Sequence, residues 1–241
     1  MKQLGINIDH VATLRNARGG SHPDPVAFAK ACERLGVHNI TFHLREDRRH
    51  VKDDDVWRLK QSTDLPLNFE LACTEDILAM AFEIKPHTLT LVPEKRQELT
   101  TEGGLDLTYQ TSALIKNTQR FRDVGTHVSY FIEPEISLVQ MASDMGATAV
   151  EFHTGQYAEA FARGDEQATE LILQALKLAS QKAVALNLMV HAGHGLNLQN
   201  LPPLVAIKEL TSFQIGHAIV GDAIFDGVKS TIQSYQHILS S

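Results

Sequence analysis

His43 and Arg45 stand two residues apart at the exit of the apolar segment Ile40-Thr41-Phe42, within the run His43-Leu44-Arg45-Glu46-Asp47-Arg48-Arg49-His50. Histidine titrates near neutral pH and suits proton transfer, whereas the arginine fork fits a phosphate or a carboxylate. If the segment is a strand, parity sends His43 and Arg45 to one face and packs Leu44 on the other. Arg48, Arg49 and the Asp53-Asp54-Asp55 run read instead as a loop and a solvated helix start. Glu70, between Phe69 and Leu71, is a second candidate for acid or base work. Burial would raise its pKa, while an ion pair with an inner arginine would lower it, and the sequence leaves both open.

The remaining candidates also sit at the ends of apolar segments. Asn7, Asp9 and His10 close the first one, and the segment from Thr13 through Arg18-Gly19-Gly20 reads as a loop in which a guanidinium and flexible backbone could close on a phosphate. A cap and turn, with a solvated arginine, is the plainer reading of that stretch. Val92 to Gly104 is a long polar connection containing Thr100-Thr101 and Gly103-Gly104, of a length that often forms a lid or a binding loop; a surface connection is the alternative. Glu151 and His153 share one strand face. His191-Ala192-Gly193-His194-Gly195 and Gly216-His217 follow the last two segments, where glycine-rich turns commonly hold a phosphate on backbone amides.

Something must hold these exits together. Eight strand-like segments recur, near Leu4–Asp9, Asn39–Arg45, Leu67–Leu71, Thr88–Val92, His127–Ile132, Ala149–His153, Asn187–Val190 and Phe213–Ile215, with helical patterns between them. One helix starts at Asp24-Pro25 and stops at Gly36; another, from Asp165 to Ala185, sets Ala168, Leu171, Ile172, Ala175, Leu176 and Ala179 on one face. Eight βα units imply an α/β fold of the (β/α)8 TIM barrel class: a single domain over 1–241 with extra helices. An open doubly wound sheet is the competitor, but its strands would be apolar on both faces. Here they alternate, as in Ile6-Asn7-Ile8 and Phe69-Glu70-Leu71, which fits an outer face on helices and an inner face lining a chamber.

Composition narrows the function. The chain has 241 residues, 43% of them hydrophobic and 21% charged, with a formal net charge of −7. That balance provides no basic stripe for nucleic acid. The longest stretch without Asp, Glu, Lys or Arg, Ala183 to Ile207, carries three Asn, a Gln, two His and two Pro, so no membrane partner is expected. With two cysteines and no signal-like start, a cytoplasmic protein is expected. A metal could sit among histidines and carboxylates, but the interleaved arginines would repel it, and no metal ligand is expected. No lysine stands on an inner face, so an enzyme-bound Schiff base is not indicated.

The segments 5–10 and 12–19, the run 43–50, Leu91-Val92-Pro93-Glu94-Lys95-Arg96 with 100–104, Glu151 with His153-Thr154-Gly155, 192–196 and 215–219 together resemble the pyridoxine 5'-phosphate synthase family over essentially the whole chain. The resemblance implies condensation of 1-deoxy-D-xylulose 5-phosphate with 3-amino-2-oxopropyl phosphate to pyridoxine 5'-phosphate, phosphate and water, with no cofactor. It carries the acid/base roles to His43, Glu70 and His194. The pentulose phosphate falls to Asp9, His10, Arg45, His50 and Thr100, and the amino-ketone phosphate to Asn7, Arg18, Gly195, Gly216 and His217. Glu151 is counted with the substrate-binding residues. His191 departs from the asparagine expected there, which bears on tuning near His194. The resemblance further implies a homo-octamer. Another phosphosugar isomerase or aldolase on the same barrel, and a non-catalytic phospho-ligand sensor, are the alternative functions.

Overall fold

A computed structural model describes residues 2–94, 103–109 and 111–240. Eight strands pair in chain order: β1 (Gln3–Asn7), β2 (Asn39–His43), β3 (Leu67–Leu71), β4 (Thr88–Leu91), β5 (His127–Ile132), β6 (Ala149–His153), β7 (Met189–Gly193) and β8 (Ser212–Ile215). All neighbours are parallel, and β8 pairs with β1 to close a barrel. Among the described residues the helices are α1 (Asp9–Arg18), α2 (Pro25–Arg34), α3 (Asp53–Ser62), α4 (Glu75–Ile84), α5 (Thr111–Asp123), α6 (Ile136–Asp144), α7 (Gly155–Ala162), α8 (Glu166–Ala185), α9 (Leu201–Val205), α10 (His217–Asp226) and α11 (Val228–Ser240). The expected TIM barrel with extra helices is therefore present. None of these helices is long and apolar enough to cross a membrane.

Strand parity explains the closure. Leu4, Ile6, Ile40, Phe42, Phe69, Leu71, Val150, Phe152, Phe213 and Ile215 point outward and are buried beneath the helices, which drives the layers together. The inner face is polar where barrels of this class are mostly filled with Val, Ile and Leu. Thr41 Oγ1 donates to Gln214 Oε1 at 2.7 Å, Asn68 Nδ2 donates to Thr41 Oγ1 at 3.3 Å, and Thr90 Oγ1 donates to Asn68 Oδ1 at 2.7 Å. Gln214 Nε2 donates in turn to Ser212 Oγ at 3.1 Å. This belt across β8, β2, β3 and β4 forms a hydrogen-bonded floor, and such satisfied networks fix side chains in place.

Several boundaries move. The stretch read as a loop from Thr13 is helix α1, which begins at Asp9 and ends at Gly19 in a left-handed cap (φ +73°). Asp9 and Arg45 thus lie beyond their strands. The seventh strand starts at Met189, because Asn187 (φ +61°) ends the preceding helix in the left-handed region. His191 through Gly193 accordingly belong to β7 itself. The caps at Asp24, which accepts from Val26 N at 3.2 Å, and at Asp165, which accepts from Ala168 N at 3.0 Å, are as expected. On α8 the buried stripe is Leu176, Ala179, Ser180 and Ala183, whereas Leu171 is 60% exposed and lies off it.

Candidate active site

The C-terminal mouth of the barrel holds a cavity of about 590 Å³, the place where (β/α)8 folds assemble their chemistry. Its lining includes Asn7, Asp9, His10, His43, Arg45, His50, Glu70, Glu151, His194, Gly195, Gly216 and His217. Of the residues expected from sequence, one described residue is not in it. Arg18 is exposed on the last turn of α1 and does not line the cavity, and Thr100 lies outside the described residues.

Pairing of β1 with β2 brings Asp9 and His43 together. Asn7 Oδ1 accepts from Asp9 N at 2.8 Å and orients the first turn of α1, and Asp9 Oδ1 then accepts from His43 N at 2.9 Å. His50 Nδ1 accepts from Val51 N at 2.9 Å, which leaves Nε2 as the protonated, donating nitrogen of a neutral ring. Burial lowers the pKa of His50, against the pull of Asp9. Helix α1 also fixes the loop that carries His50. Asn16 Nδ2 donates to His50 O at 2.8 Å and to Arg49 O at 3.0 Å, and Arg15 Nη2 donates to His50 O at 3.1 Å while its Nη1 pairs with buried Asp55 at 2.5 Å.

Glu94 is the site residue that the sequence reading left without a role. Its carboxylate lies 3.5 Å from His43 Nε2 and 3.8 Å from Arg45 Nη2, and it accepts from Glu46 N at 2.8 Å. Burial would raise this carboxyl, but contact with His43 and the nearby Arg45 charge outweigh it and hold the pKa below its ordinary value. A lone acid directly after Val92-Pro93 at a strand exit was the available signal.

Glu70 sits opposite His43 in the β2/β3 register. Burial pushes its pKa well up, and Glu151 and Asp9 push it further. Glu151 is raised to about 8 by burial. The open choice for Glu70 therefore resolves toward desolvation and like charge, which favour its protonated form and make it a stronger base once ionised.

The opposite wall is made of turns. His194 follows β7 with φ +81°, and Gly195 continues in the left-handed region at φ +75° with Ala158 Cβ only 2.7 Å from where a Cβ would be. At Gly216 an added Cβ would lie 2.9 Å from Asn7 Cβ and from Asn7 O. Both turns need glycine because backbone packs where a side chain would stand. The rings of His10 and His217 meet edge to face at 4.9 Å between these walls. Burial, with His153 and His10 nearby, lowers the pKa of His194 to about 4, and Glu133 opposes this. His191 pairs with Glu151 in the β6/β7 register, does not line the cavity and has no share in the His194 shift. Phe131, Leu196, Asn197 and Gln214 also line the cavity without having been singled out from sequence, and so does Arg49, which the sequence reads as a solvated loop residue.

The fold alone is shared widely. The barrel superposes on 3-keto-L-gulonate-6-phosphate decarboxylase from Vibrio cholerae with a TM-score of 0.69 at 14% identity, covering 100% of this chain and 98% of that one. Sequence comparison is far more specific. The chain is 46% identical to pyridoxine 5'-phosphate synthase of Gluconobacter oxydans over 100% of both chains, and 45% identical to that of Zymomonas mobilis over 99% of this chain and 92% of the other. Residues 4–241 match the family model described as pyridoxal phosphate biosynthesis protein PdxJ, and the chain belongs to that family.

Proposed function

We propose that the chain is a pyridoxine 5'-phosphate synthase, a single catalytic domain over 1–241 that condenses 1-deoxy-D-xylulose 5-phosphate with 3-amino-2-oxopropyl phosphate and releases phosphate and water. The observation that carries this reading is the division of one cavity into a cation and carboxylate wall on β1 to β3 and a glycine-turn wall on β7 and β8. Two phosphorylated substrates need two anion sites, and these walls offer side-chain donors and backbone amides respectively.

The substrate amine itself attacks the pentulose ketone and loses water to an imine, so no enzyme lysine is needed. Ring formation then requires protons to be taken from carbon and returned to leaving oxygens. Glu70, opposite His43 in the register, is the proton acceptor on the pentulose side, with His43 relaying. His194 donates from the other wall. Asp9, His10, Arg45, His50 and Thr100 bind the pentulose phosphate, and Asn7, Arg18, Gly195, Gly216 and His217 the amino-ketone phosphate. Glu151 is counted with the substrate-binding residues. Arg45 is the anchor among the cations, being buried with its charge balanced by Glu94.

Incubation with the two named substrates in metal-free buffer, followed by mass spectrometry, tests the reading. The expected mass is that of pyridoxine 5'-phosphate with one equivalent of phosphate. Isomerised or cleaved pentulose phosphate indicates the isomerase or aldolase alternative, and binding without turnover indicates a sensor. We further propose a cytoplasmic homo-octamer, for which the exposed Ile224 and Phe225 at the end of α10 offer apolar contact surface. Light scattering giving eight chains is the expected result.

A further inference from the structure

Behind His194 lies a pair of groups that the reaction as described does not use. Glu133, just after β5, accepts from His153 Nδ1 at 2.8 Å and from Gly104 N at 2.9 Å through the same oxygen, Oε1. A carboxylate can only accept, so His153 carries its proton on Nδ1. The other nitrogen, His153 Nε2, is buried and has no hydrogen-bond partner among the described residues. It faces the His194 side: the two rings lie 5.0 Å apart, and both edges meet above Gly155, where an added Cβ would be 2.5 Å from His153 Nε2 and 3.1 Å from His194 Cδ2.

We propose that Glu133 and His153 are positioning residues for His194, a half-buried carboxylate and a buried imidazole that hold the His194 ring and supply the negative charge behind it on which its role as proton donor depends. The arrangement is the general one in which a donor or base is oriented by a second group and that group by a third. This inference rests on the reading of His194 as proton donor. The geometry shows why such support is needed. His194 has a left-handed backbone (φ +81°), uncommon for a residue with a side chain, and Thr154 Oγ1 braces the turn from 2.7 Å off Gly193 O and 2.6 Å off His194 O. Among the described residues, the ionisable groups acting on the ring are His153 from β6, His10 from α1 and Glu133 from the end of β5, and of these Glu133 alone is negative. Burial raises the Glu133 carboxyl, but its bond and charge contact with His153 outweigh this and keep it below its ordinary pKa and ionised at neutral pH.

Glu133→Gln removes the charge while its amide oxygen still accepts from His153 Nδ1 and Gly104 N, so a purely structural role would survive it. A donor must be protonated, and with the His194 pKa lowered to about 4 neutral pH lies on the limb where activity falls as pH rises. Without Glu133's charge that fall should come about one pH unit earlier, with kcat reduced about tenfold at neutral pH and KM for both substrates within twofold. Glu133→Asp should return the pH profile toward the parent. A parent-like kcat profile in Glu133→Gln overturns the proposal. Nitrogen NMR of histidine-labelled parent enzyme is a second measurement that needs no variant: His153 should be protonated on Nδ1 between pH 6 and 8, and an Nε2–H tautomer overturns the pair. Full activity in His194→Asn would instead sink the proton-donor reading itself, so the two failures are distinguishable.

Discussion

The two walls of the cavity solve the same problem with different materials. On the β1 to β3 side the groups are side chains, and each is pinned by another: Asp9 on the His43 amide, Glu94 beside His43 and Arg45, Arg15 and Asn16 on the His50 carbonyl. On the β7 and β8 side the pocket is backbone, shaped by Gly195 and Gly216 at points where a single Cβ would collide. Side-chain walls provide charge and pKa control and tolerate graded change, whereas a backbone wall provides position and tolerates almost none.

The largest separation between binding and chemistry is expected at Glu70 on the side-chain wall. Glu70→Gln should lower kcat by roughly 10²–10⁴-fold while calorimetric affinity for each phosphate ligand stays near the parent value; unchanged turnover would remove Glu70 from the mechanism. Next, Arg45→Ala should weaken the pentulose phosphate by about 2 kcal/mol, roughly 30-fold, and leave the amino-ketone phosphate near its parent Kd. Equal losses for both ligands would break the assignment of one wall to each.

Gly195→Ala probes the other wall. A left-handed φ with Ala158 Cβ in the way should cost more than about 1 kcal/mol of stability and lower Tm by a few degrees, with the amino-ketone phosphate affected and the pentulose phosphate spared. A Tm equal to the parent's would show that the turn accommodates a Cβ.

Stability against pH tests the buried carboxyls. Folded Glu151 holds its proton up to about pH 8, whereas an unfolded glutamate releases it near 4.5, so this group makes stability fall as pH rises between those values. His191 and His194, lowered by burial to about 4 from 6.5, act oppositely: stability rises with pH between 4 and 6.5 and is level above. Above pH 6.5 only the carboxyl effect remains. Stability should therefore decline from pH 6.5 to 8, by at most about 1.4 kcal/mol per pH unit for each proton, which a falling Tm reads out, and Glu151→Gln should make that decline shallower. A parallel decline in the variant would contradict the burial account. The smallest effect is expected behind the first wall, where Asn16→Ala removes two bonds to the His50 loop; a few-fold rise in KM for the pentulose phosphate, about 1 kcal/mol, with kcat preserved is the predicted signature.

Much of the fold was legible because alternation in strands such as Phe42-His43-Leu44 and Phe69-Glu70-Leu71 has one economical explanation, an outside packed on helices and a polar inside. Residues within or directly after strands, such as His43, Arg45, Glu70 and Glu151, were found for the same reason. Strand ends were less legible: parity continues into the first residues beyond a strand, so Asp9 was counted in β1 although it opens α1, and the polar surface of α1 resembled a loop. Leu171 was assigned to the wrong stripe because an aliphatic residue at helical spacing can still face solvent.

The residue types, their parity and the order of the eight units are local properties, and the sequence alone determined them: a barrel, an inner polar face, and the side chains that crowd its exits. Which groups meet across the mouth was decided only by closure. Glu94 beside His43, Glu133 behind His153, and the push of Glu151 on Glu70 join residues 20 to 81 positions apart. Such contacts depend on register and on the burial that closure creates. The sign of each pKa shift follows from the balance of desolvation, hydrogen bonds and neighbouring charge that closure creates and that no single strand possesses by itself.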